Sequence, residues 1–140
     1  MRDKVFLDTN IFIYYQRSDC PEKQNIAKNL LANNDCVAST QVLNEISNIL
    51  TKKYPKLENE IELLLRDITE YCIIVTISTK LIFKALKLHF RYKFSFFDSL
   101  MVVAALEANC SIFYSEDMQD GQVIENSLTI KNPFASFNPV

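Results

Sequence analysis

One glycine, Gly121, and four prolines serve all 140 residues. A loop that cradles phosphate on backbone N–H groups needs several glycines close together, so none can be built here. So few turn formers also argue against an all-β sandwich or barrel and for helices joined by short polar loops. There is one histidine, His89, flanked by Leu88 and Phe90, and no C-x-x-C pair among Cys20, Cys36, Cys72 and Cys110. A zinc site and a His- or Cys-based nucleophilic triad both lack their parts. The cysteines are widely spaced in or beside apolar segments and read as reduced core residues. No uncharged run approaches the length of a membrane span, so a cytoplasmic protein with no membrane partner is expected. Acids are missing from one stretch: none lies between Glu70 and Asp98, where Lys80, Lys84, Lys87, Arg91 and Lys93 fall.

With 49% hydrophobic and 23% charged residues, the chain can bury a real core and reads as one compact domain over residues 1–140. A net charge of −2 would by itself disfavour nucleic acid, because that binding neutralises phosphates. The segregation of the two signs along the chain makes net charge the wrong quantity.

Local patterns divide the chain into alternating strands and helices. Lys4 to Asp8 reads as a buried strand, Asn10 to Arg17 as a short helix, and Pro21 to Ala32 as a helix with proline at its first position. Cys36 to Ser39 is a second strand. Thr40 is expected to cap a helix through about Tyr54, stopped by Pro55, and Leu57 to Glu70 carries apolar residues at helical spacing, so the two helices make a hairpin. Cys72 to Ile77 is β-branched and reads as a third strand; Ser78 caps a helix to about Tyr92 and Ser95 caps the next. From Phe96 to Ala108 the pattern is apolar nearly all round, which marks a buried central helix. Ser111 to Tyr114 is the following strand, and Leu128 to Ile130 a short edge strand. The alternation indicates an α/β layered fold with a mostly parallel sheet.

Three aspartates sit where folding alone would prefer apolar residues. Asp8 closes Val5-Phe6-Leu7, Asp98 interrupts Phe94 to Ala105, and Asp117 follows Ile112-Phe113-Tyr114. An open parallel sheet binds ligands just beyond its strand ends, where Asp8 falls, although an N-cap acid fits there equally. Ser95-x-x-Asp98 has capping-box spacing, yet Asp98 shares its helical face with Phe94, Met101, Val102 and Ala105. Glu45 borders the buried face between Val42 and Ile49, and read alone is an ordinary surface glutamate. Asp117 and Asp120 share a loop, where acids are common.

Jointly, two strand ends and two helices can bring these carboxylates to one cleft. Burying unpaired carboxylates costs several kcal/mol, roughly, and a bound cation is the commonest compensation. Oxygen donors without histidine or cysteine suit Mg2+ or Mn2+, which leaves activated water as the chemistry. Lys80, Lys84, Lys87 and Arg91 fall at i, i+4, i+7 and i+11, on one face of one helix. That face is either an RNA-binding neighbour for an acidic cleft or a merely solvated one. Phe94, Phe96 and Phe97 fit core packing better than base stacking.

Val5-Phe6-Leu7-Asp8-Thr9-Asn10, Glu45, Phe96-Phe97-Asp98-Ser99-Leu100 and Ser115-Glu116-Asp117-Met118-Gln119-Asp120-Gly121 together resemble the PIN-domain ribonuclease family, and the small size resembles its VapC toxin branch. The resemblance spans essentially the whole chain. It implies an α/β/α sandwich with a five-stranded, mostly parallel sheet whose first and fourth strands are adjacent, setting Asp8 beside Asp117. It further implies that Asp8, Glu45, Asp98 and Asp117 hold one or two Mg2+ or Mn2+ ions, with Thr9 and Ser115 as supporting hydroxyls and Asp120 able to share the role of Asp117. The activity implied is endoribonucleolytic cleavage of RNA by the toxin of a type II toxin–antitoxin pair, with an antitoxin as partner and a homodimer as the assembly. The Phe90, Phe94 and Phe96 region and the helices around Ile61 carry enough apolar residues for an interface, and the same residues equally suit the core. A haloacid dehalogenase-type phosphatase would want an acid at position 10, which is Asn10, and a cap domain. A catalytically silent PIN-like module that binds RNA or protein is the alternative from another class.

Overall fold

Strands and helices alternate along almost the whole of the computed structural model, which describes residues 2–53 and 56–135. In chain order the elements are β1 (Lys4–Leu7), α1 (Thr9–Gln16), α2 (Pro21–Asn33), β2 (Asp35–Ser39), α3 (Thr40–Lys52), α4 (Glu58–Tyr71), β3 (Ile73–Val75), α5 (Thr79–Tyr92), α6 (Phe96–Glu107), β4 (Ile112–Tyr114), β5 (Val123–Ile124) and β6 (Leu128–Lys131). The strands form one sheet in the order β3-β2-β1-β4-β6-β5, parallel except for β5, which runs antiparallel to β6. Consecutive residues of β1 and β2 are buried, so both faces of the sheet are covered by helices, as a parallel sheet requires. This is an α/β/α sandwich with a mostly parallel sheet.

The order reverses between β1 and β4: from β1 the chain moves outward to β2 and β3, and later returns to lay β4 on the other side. Phe6 and Phe113, register partners in these strands, stack with ring centroids 5.2 Å apart. Such a reversal opens a crevice at the carboxyl ends of its two strands. Helix α6 runs through the core with Ser99 to Ala105 all buried, as its unbroken apolar pattern predicts.

Several boundaries differ from expectation for identifiable reasons. The cap of α3 is Ser39, whose hydroxyl accepts from Val42 N–H at 3.3 Å; Thr40 is the first helical residue, and its hydroxyl accepts from Ile77 N–H at 3.1 Å. The stop placed at Tyr54 and Pro55 lies outside the described residues. The sheet has six strands, because Val123–Ile124 pairs with β6, so β6 lies inside the sheet between β4 and β5 instead of at its edge. Ser78 and Ser95 cap α5 and α6 as expected, each accepting from the backbone three residues on. Cys36, Cys72 and Cys110 are buried and free, with burial pushing their thiols up to about 11, 12 and 12; Cys20 is half-buried and free. Among the described residues, no helix is long and apolar enough to cross a membrane.

Candidate active site

Asp8 stands at the N-cap of α1, yet its carboxylate makes no capping bond there. Its Oδ2 instead accepts the hydroxyl of Ser115, the first residue after β4, at 2.8 Å. Register dictates this pairing. Leu7 lies opposite Tyr114, and Asp8 N–H donates to Tyr114 O at 3.1 Å, so the next residue of each strand meets across the crevice. Both Asp8 and Ser115 are buried.

The remaining acids arrive from three directions. Glu45, half-buried on α3, accepts the Thr9 hydroxyl at 2.5 Å and the Gln41 amide at 3.3 Å. Asp98 enters from the first turn of α6, half-buried, three residues after the Ser95 cap. Asp117, exposed in the loop after β4, accepts the Asn10 amide at 3.1 Å. The fold thus gathers Asp8, Glu45, Asp98 and Asp117, with Thr9 and Ser115 as their hydroxyl partners. Asp120 stands apart: its carboxylate accepts Asn132 N–H at 2.8 Å and ties the loop to the end of β6.

The electrostatics follow from this crowding. Burial pushes the Asp8 carboxyl up to about 6; the Ser115 hydroxyl pulls it down, and the charges of Asp98, Asp117 and Glu45 push it up further. Asp98 is raised as well, first by burial, against the Ser95 hydroxyl and with help from Glu45 and Asp117. Among the described residues none of the four carboxylates forms an ion pair with lysine or arginine.

Such a donor set, hard oxygens with uncompensated negative charge, matches the chemistry of Mg2+ or Mn2+. As the side chains stand, no three His, Cys, Asp or Glu residues among those described converge enough to hold an ion. Coordination of an ion would require these carboxylates to come closer together, and their mutual repulsion opposes that without a cation.

A family model described as PIN domain matches residues 5–119. The chain belongs to the PIN domain family. Among solved structures this PIN domain is similar in fold to VapBC2 from Rickettsia felis, bound to a DNA fragment from its promoter (TM-score 0.67, 22% identity, 92% of this chain and 98% of that one). It is similar also to the sarcin–ricin loop cleaving toxin VapC20 of Mycobacterium tuberculosis (0.65, 16%, 78% and 86%) and to a toxin–antitoxin complex from Klebsiella pneumoniae (0.66, 19%, 92% and 97%). No curated protein matches the chain.

The basic face of this PIN domain is partly neutralised. Lys84 lies 3.9 Å from Glu107 and Arg91 pairs with Glu125 at 2.7 Å, whereas Lys80 and Lys87 form no ion pair among the described residues. Helices α5 and α6 are joined by only three residues and Lys84, in the first half of α5, pairs with Glu107 at the end of α6, so they run antiparallel. Arg91 therefore lies at the Asp98 end of the hairpin and Lys80 at the opposite end. His89 has a packing role, with Nδ1 2.5 Å from Phe94 O. Phe94 and Phe96 are half-buried as expected, but Phe97 is 58% exposed.

Sequence reasoning missed Tyr14, Lys23 and Glu116. Tyr14 OH donates to Glu116 at 2.8 Å, and Lys23 bonds both. Lys23 and Glu116 are 93 residues apart and no local pattern connects them.

Proposed function

We propose that this PIN-family chain is a Mg2+- or Mn2+-dependent endoribonuclease, the toxin of a type II toxin–antitoxin pair. The observation that carries the reading is Asp8: a buried carboxylate at a topological reversal, surrounded by three further acids and by no cationic side chain paired to them. Folding gains nothing from that arrangement without a cation.

Asp8, Glu45, Asp98 and Asp117 would hold one or two such ions. When bound, the ions supply a polarised phosphodiester, an activated water and stabilisation of charge on the leaving oxygen. The chain's own residues set the geometry. Ser115 fixes Asp8, Thr9 and Gln41 fix Glu45, and Asn10 fixes Asp117. A carboxylate of the four not fully engaged by an ion would be placed to orient a water and accept its proton. RNA backbone reaches the site along α5, with Lys80, Lys87 and, to the extent that they leave Glu107 and Glu125, Lys84 and Arg91 neutralising phosphates.

The partners rest on apolar surface. A cavity of about 570 Å³ lies between α2 and α4, lined by Phe12, Leu31 and Ile68, with Tyr71 and Ile73 exposed at its rim. It suits an apolar segment of the antitoxin. A homodimer would use Phe83, Leu86 and Phe90 of α5 with Phe97 of α6, which are exposed; Ile61 is buried in the core and has no part in it.

Purified chain incubated with labelled RNA is the direct test. Cleavage with Mn2+ or Mg2+ that stops with EDTA, and that Asp98→Asn abolishes, is the expected result. A shift of the RNA without cleavage would assign the chain to a binding module. Growth arrest on expression, absent for Asp98→Asn, tests the toxin role separately.

A further inference from the structure

Glu116 and Asp117 are neighbours in one loop and their carboxylates go to different places. Asp117 faces the Asn10 amide at 3.1 Å, on the side of Asp8. Glu116 turns to the Tyr14 hydroxyl at 2.8 Å and to the Lys23 ammonium, which also reaches Tyr14 OH at 3.1 Å. This ion pair is not an ordinary surface contact, since its side chains are only 20% and 22% exposed. Phe134 closes over it: Lys23 lies 5.2 Å from its ring centroid and 4.6 Å from that of Tyr14, and the two rings meet edge to face at 5.1 Å. An exposed pair contributes little, but a shielded one with a hydroxyl and two aromatic rings holds its geometry.

We propose that Lys23, with Tyr14, is a positioning clamp on Glu116 that aims Asp117 into the acidic cluster and keeps Glu116 out of it. The inference rests on the metal-site reading above and deepens it, because it assigns control of cation affinity to a lysine on α2 outside the quartet. The loop is pinned at three successive residues. Ser115 Oγ bonds Asp8 and accepts the N–H groups of Asp117 and Met118, both at 3.3 Å; Glu116 is held by the clamp; Asp117 is held by Asn10. Releasing the middle point lets the loop rotate and carries Asp117 out of its place beside Asp8. The clamp acts on Asp117 through the backbone of its neighbour, and loss of the groups that orient a metal ligand typically lowers affinity about tenfold or more.

The test is Mn2+ affinity of the full chain by titration calorimetry, with melting temperature recorded for each variant. Lys23→Met, Glu116→Gln and the milder Tyr14→Phe should weaken Mn2+ binding, the first two by about tenfold, and Lys23→Arg should retain it. Ile26→Ala on the same helix should lower the melting temperature without moving the affinity. RNA affinity measured in EDTA should not change in any of them. If Lys23→Met and Glu116→Gln bind Mn2+ as the wild type does, the clamp is overturned while the quartet stands. If Ile26→Ala weakens binding equally, the effect is one of stability and the clamp is again overturned. A wild-type chain that binds no Mn2+ would overturn the metal site and the clamp together.

Discussion

Ser115 donates its hydroxyl to Asp8 across 107 residues of sequence, and the same oxygen accepts two backbone N–H groups of the next loop. One buried serine therefore couples the ends of β1 and β4 and shapes the loop carrying Asp117. Ser115→Ala should leave an Asp8 oxygen and two N–H groups short of a partner, costing about 1–3 kcal/mol, or several degrees of melting temperature. Because this hydroxyl pulls the Asp8 carboxyl down, its removal should also move the Asp8 titration midpoint up, which NMR of the carboxyl carbon would show.

The Asp8 carboxyl titrates near 6 in the folded chain and near the ordinary aspartate value when unfolded. Between about pH 4 and pH 6 the folded state therefore holds a proton that the unfolded state has released, and stability falls as pH rises through that window. The contribution is at most roughly 2–3 kcal/mol and levels off above the folded value. Melting in EDTA should give a higher temperature at pH 5 than at pH 7.5, and Asp8→Asn should flatten the difference. A melting temperature that rises steadily over the same range in EDTA would contradict the assignment.

With saturating Mn2+ this pH dependence should flatten, because protons compete with the cation for Asp8 and Asp98, both raised. Apparent Mn2+ affinity by calorimetry should decline as pH falls from 7.5 to 5.5.

Asp8→Asn and Asp98→Asn preserve shape and remove ligand charge. Each should lower metal-dependent RNA cleavage about 100-fold or more, with the circular dichroism spectrum unchanged. At pH 7.5 without metal, Asp8→Asn should melt higher than the wild type, since a like charge is gone from a crowded set. Full activity at saturating Mg2+ would remove the residue from the site.

Lys80 and Lys87 are the cations of α5 that no acid neutralises among the described residues. Charge reversal at both should weaken RNA binding and reduce the salt slope by about one per lost phosphate contact. Cleavage at saturating RNA should persist. Reversal of Arg91 differs, because Glu125 then faces a like charge in place of its ion-pair partner and keeps only its bonds to Tyr92. Equal affinities for wild type and double variant at low salt would remove Lys80 and Lys87 from the RNA contact.

Much of this was legible in the sequence because the decisive signals are local. The serine caps of α5 and α6, the apolar wrap of α6 and the β-branched strands follow from neighbours within a turn or two. Asp8 had two equal readings, and the structure removes the capping one: its carboxylate accepts from Ser115 and makes no bond to the helix it begins. β5 is not legible because two residues, Val123 and Ile124, carry no periodicity, and the interior place of β6 is not legible because strand order is not a local property. The fates of Glu116 and Asp120 were equally hidden, since each is settled by a partner in another element, Lys23 on α2 and Asn132 beyond β6.

The sheet ends in three residues on one side and two on the other, β3 and β5. Among the described residues, neither margin offers a long run of unpaired backbone, and short edge strands of this kind are a poor template for another chain's strand.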